Sequence, residues 1–129
     1  MSLSDVQTLK KIHRIEEELF PRIGDQLRVI ESLGASESLE EFARLRQYAS
    51  HVKKLMSSEQ GHLVKHPEEL LRFEKEELSL EASLVKLLEK PAQSLSDSQL
   101  EVVAEGIEEV ISRLREVIAR EERALEEAK

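Results

Sequence analysis

The stretch Ser57 to Leu70, "SSEQGHLVKHPEEL", carries two of the chain's four histidines, His62 and His66, at a spacing of i, i+4. On one continuous helix that spacing would hold a metal ion. Glu59 and His62 also form a Glu-x-x-His unit, the i, i+3 pattern by which helical bundles present carboxylate and imidazole to a metal pair. Two residues argue against the i, i+4 clamp. Gly61 is a natural helix stop, and Pro67 disfavours an α-conformation at His66. The expectation is a corner between two helices, with Pro67 at the first position of the second and Glu68 and Glu69 facing its dipole.

Carboxylates at inward positions are the stronger signal. With residues placed 100° apart around a helix, Glu16 falls among Ile12, Leu19 and Ile23, and Glu59 continues the stripe of Val52 and Met56. Glu74, Glu77 and Glu81 lie inside the apolar band of Leu70, Leu84 and Leu88, and Glu121 follows Leu114 and Val117. At a rise of about 1.5 Å per residue, Glu16, Glu59 and Glu74 reach similar heights in an antiparallel bundle, with His13 and His62 one turn away. Glu16, Glu59, His62, Glu74 and His13 are therefore the candidate metal ligands. Carboxylate and imidazole together suit iron, manganese or zinc, as a di-iron or di-manganese type of centre for oxygen or peroxide activation or for metal storage. A competing reading leaves these glutamates on half-exposed seams, their stems covering apolar surface and their heads in water. Bundle metal pairs commonly use two Glu-x-x-His units; this chain has one, with Gly61 inside it, and no histidine follows His66.

Other chemistry finds less support. "RQYASH", Arg46 to His51, has the Arg-x4-His spacing of a class of small helical ribonucleases, but on a helix these two side chains point about 140° apart. With no cysteine and only four glycines, the chain offers no thiol nucleophile, and it has no P-loop, no G-x-G-x-x-G and no G-x-S-x-G elbow.

The elements that would position these residues are helices. In 129 residues, 36% are charged and 3% aromatic, a length suited to one domain, residues 1–129. The first helix is expected from Ser4 to Leu33, kinked near Pro21, with Gly34 ending it. Ser38 and Glu41 are placed as a capping box for the second helix. The third should run from Pro67 to Glu89. The fourth should start at a second box, Ser96 and Gln99, and continue to Glu127. Short connections make consecutive helices antiparallel neighbours, so the expected fold is all-α, an up-down-up-down four-helix bundle.

The net charge is −8, and the excess of acid lies in residues 67–129, which discourages binding to nucleic acid or anionic membrane. No signal-peptide pattern or membrane-length apolar run is seen, so a cytoplasmic protein is expected. The third helix has a wide apolar band, including Leu71, Phe73, Leu80 and Leu87, broader than one neighbour requires. With little support for a catalytic site and long amphipathic helices throughout, the first functional expectation is a protein that works through protein–protein contact, as a subunit, adaptor or homo-oligomer, with no cofactor and no catalytic activity assigned. The carboxylate–histidine metal bundle is the second.

Overall fold

The structure, a computed structural model, describes residues 3–63 and 66–127. Four helices account for nearly all of it: α1 (Leu3–Leu33), α2 (Leu39–Gln60), α3 (Glu68–Glu89) and α4 (Asp97–Glu127), with a short 3-10 turn (Ala35–Glu37) between α1 and α2. Each helix packs against two neighbours, α1 and α3 both lying between α2 and α4. The expected all-α four-helix bundle is what forms. Among the described residues no helix is long and apolar enough to cross a membrane.

Local chemistry sets the boundaries. Gly34 adopts φ 85°, a left-handed conformation in which a Cβ is strained, and its N–H donates to the Ile30 carbonyl at 2.8 Å to close α1. At the start of α4 the Ser96 box forms in both directions: Ser96 N–H donates to Gln99 Oε1 at 2.8 Å and Gln99 N–H to Ser96 Oγ at 3.2 Å. The box expected at Ser38 does not form. Ser38 Oγ instead donates backward to the Gly34 carbonyl at 2.7 Å, across the 3-10 turn that precedes α2, and caps no amide of that helix. Helix α1 continues through Pro21, which sits on the exposed face between buried Phe20 and Ile23.

The α2–α3 corner also differs in detail. Gly61 caps α2 in an ordinary right-handed conformation, φ −64°, so no left-handed glycine stop operates there. Pro67 precedes the first residue of α3 in an extended conformation, φ −57° and ψ 151°, one position earlier than expected. His62 and His66 consequently flank a corner and share no helix.

The main core joins all four helices, from Ile12, Leu19 and Phe20 on α1 through Phe42 and Leu45 on α2 and Leu84 and Leu88 on α3 to Ile107 and Leu114 on α4. Each such side chain contributes about 1.5–3 kcal/mol by leaving water. A second, smaller cluster of Val6, Leu9, Leu70 and Leu125 closes the end of the bundle at the α2–α3 corner. The wide band on α3 is covered in part: Leu70, Leu78, Leu84, Val85 and Leu88 are buried, and Leu71, Phe73, Leu80 and Leu87 are half-buried. Between the two apolar clusters the core turns polar.

Candidate metal centre

All four helices send carboxylates into that polar layer. Glu16 from α1, Glu59 from the last turn of α2, Glu74, Glu77 and Glu81 from α3 and Glu121 from α4 are each at most 1% exposed. On α3 the spacing of three and four residues stacks its three acids on one face. Donors are scarce: none of the twelve oxygens makes a well-aligned hydrogen bond, and the nearest imidazole nitrogens are His66 Nδ1, 2.8 Å from Glu74 Oε2, and His13 Nε2, 3.4 Å from Glu77 and Glu121. An unpaired buried carboxylate costs several kcal/mol, so six in one layer demand protons or cations as counterions.

The acids sort into two groups that share one member. Glu16, Glu59, Glu77 and Glu81 form one, and His13, Glu77 and Glu121 form the other; within each group one ligand atom per residue lies within 4.8 Å of all the rest. Ligands at about 2.2 Å from a first-row ion are at most about 4.4 Å apart, so movements of a few tenths of an ångström would close either group around a cation. Glu77 is common to both groups.

His13 gives the layer its only imidazole nitrogen in the two groups. Its Nε2 lies 3.4 Å from Glu77 and 3.4 Å from Glu121, without a hydrogen-bond partner. Its Nδ1 donates to Glu122 Oε1 at 2.5 Å across the α1–α4 seam. A carboxylate holding one ring nitrogen while the other faces the ion is the arrangement that fixes tautomer and orientation in metal-bound histidines.

Burial dominates the electrostatics of the layer. Burial, then the charges of Glu77 and Glu81, pushes the Glu16 carboxyl up to about 10. Burial with Glu59 and Glu77 pushes Glu81 up to about 11, and burial with Glu77 and Glu16 pushes Glu59 up to about 12. Glu74 rises to about 9 through burial and the neighbouring Glu121. For His13 burial acts against the charged ring, yet the neighbouring carboxylates of Glu121, Glu122 and Glu77 outweigh it and raise the imidazole far above its usual range.

Of the ligands expected from the sequence, Glu16, Glu59 and His13 enter the two groups. Glu74 is buried at the edge of the layer, within hydrogen-bond reach of Glu121 and with its Oε2 2.8 Å from His66 Nδ1. His62 turns away, its Nδ1 3.1 Å from Asp5 Oδ1, because the corner at Gly61 swings it off the α2 face that carries Glu59. Glu77, Glu81 and Glu121, inward by helical angle, complete the groups; Glu122 supports one of them through His13, and His66 contacts only Glu74 at the edge. Arg46 and His51 on α2 are both exposed, and neither meets the layer. The chain matches no protein-family model, and no curated protein or solved structure is similar to it.

Proposed function

We propose that this protein binds a pair of first-row transition-metal ions, iron or manganese with zinc as the further candidate, in the core of the bundle. One ion would take His13, Glu77 and Glu121, the other Glu16, Glu59, Glu77 and Glu81. The observation that carries this reading is the clustering of five buried carboxylates, none in a well-aligned hydrogen bond, with a buried imidazole whose second nitrogen is already held by Glu122. Apolar side chains of similar volume would stabilise the bundle better than unpaired acids, so a layer of this cost makes sense as a binding site. Two divalent ions offset four of the six negative charges, and retained protons or trivalent ions offset the rest. With three protein ligands, the His13 ion has coordination positions left for water, dioxygen or peroxide, which supports oxygen or peroxide activation, or storage of the metal itself.

A protein-contact role is the second reading: Leu71, Phe73, Leu80 and Leu87 on α3 stay half-buried and leave apolar surface for a partner. The metal reading takes first place because the polar layer, unlike that face, brings side chains with metal-ligand chemistry together. Elemental analysis tests it: protein stripped with chelator, loaded with iron(II) without oxygen or with manganese(II), and freed of unbound metal should hold about two ions per chain. Less than about a tenth of an ion per chain would contradict it.

A further inference from the structure

The two positions offer different donors, and the difference is systematic. One is built of four carboxylates, Glu16, Glu59, Glu77 and Glu81, and contains no nitrogen. The chain's other histidines are occupied elsewhere or remote: His62 is turned to Asp5, His66 to Glu74, and His51 is exposed. The second position has an imidazole, oriented by Glu122, and two carboxylates. It also adjoins the surface, since His13 lines a cleft of about 340 Å³ on the α1–α4 seam with Lys10, Arg14, Glu17 and Glu122.

Resting on the two-ion reading above, we infer that the centre is heterodinuclear: the His13–Glu77–Glu121 position selects a late first-row divalent ion such as zinc, and the four-carboxylate position an oxygen-preferring ion such as manganese(II). The reason lies in ligand preference. Affinity rises from manganese towards zinc at any such site, but the gap widens where an imidazole donates and narrows among carboxylate oxygens, which suit manganese. A single nitrogen placed in one position and withheld from the other therefore separates the two ions. The Glu122 hydrogen bond sharpens this, because it raises the basicity of the ligating nitrogen. The positions share Glu77, so only residues outside it distinguish them.

The test is a crossed pair of variants, His13→Gln and Glu81→Gln, each titrated separately with zinc alone and with manganese(II) alone. His13→Gln should weaken the tightest zinc site at least tenfold and leave the tightest manganese site unchanged. Glu81→Gln should do the reverse. Glu121→Gln and Glu16→Gln form a second pair with the same expected crossing, and the helical circular dichroism of the metal-free variants establishes that each is folded. Equal weakening of both metals in both members of a pair would overturn the selectivity. Binding of neither metal to the unsubstituted protein would instead overturn the two-ion reading itself.

Discussion

His13 donates from Nδ1 to the Glu122 carboxylate at 2.5 Å across the α1–α4 seam, and this one contact decides which ring nitrogen faces the core. The half-exposed Glu122 is held ionised, its carboxyl lowered chiefly by the His13 hydrogen bond against a smaller opposing effect of burial. Replacing it by alanine should free the ring to rotate. We predict a 10- to 100-fold loss of affinity at the imidazole position, the range typical of such supporting carboxylates. Metal titration of Glu122→Ala reads this directly; an unchanged affinity would remove His13 from the ligand set.

Glu77 belongs to both groups. Glu77→Gln keeps the shape and removes the charge and one metal-binding oxygen. Metal content should fall from about two ions per chain to one or none, whereas His62→Ala, at a residue turned towards Asp5, should retain both ions. Elemental analysis of the two variants side by side checks the assignment. Loss of metal in His62→Ala with retention in Glu77→Gln would reverse it.

The metal-free protein should lose stability as pH rises. Glu16, Glu59 and Glu81 have folded-state values raised above the 4.5 of the unfolded chain, so between those values the folded state holds protons that the unfolded state has released. Their contribution is fully present below about pH 4.5 and declines towards pH 10 to 12, on the order of 1 kcal/mol per pH unit for each retained proton. Denaturant midpoints of chelated protein from pH 5 to 9 should fall steadily. Bound metal replaces those protons and should flatten the slope. A metal-free midpoint that rises over this range would show these acids to be ionised or solvated.

Removing an acid altogether should separate stability from binding. Glu81→Met fills the same buried space without charge, and the metal-free variant should be more stable by about 1–3 kcal/mol. It should lose the ion at the four-carboxylate position. A destabilised metal-free variant would mean that Glu81 already has a stabilising partner in the absence of metal.

The bundle was legible from residue pattern because its determinants are local: apolar spacing along each helix, Gly34 at one stop, and Ser96 with Gln99 at one start. The box at Ser38 did not form: its hydroxyl turns back to the Gly34 carbonyl across a 3-10 turn that is invisible to a pattern of caps. The inward direction of Glu16, Glu59, Glu74, Glu77, Glu81 and Glu121 follows from 100° per residue and needs no structure. Their grouping does not. An error of one turn in helix height exchanges Glu74 for Glu77 as the shared ligand, and such an error lies within the uncertainty of any boundary read from sequence. Glu122 was hidden because it lies 100° from Glu121 on a half-exposed face. His66 was excluded from a helix for a sound reason, the proline after it, yet the corner folds it back onto Glu74. Long-range placement of that kind leaves no local trace.

The most direct measurement is anomalous diffraction from crystals of protein loaded with manganese(II) or iron(II), recorded near the metal's absorption edge. The two-ion centre predicts two peaks about 3.5–4 Å apart, one between His13, Glu77 and Glu121 and the other among Glu16, Glu59, Glu77 and Glu81. A layer without anomalous density, with its six carboxylates in contact only with one another or with water, would contradict it.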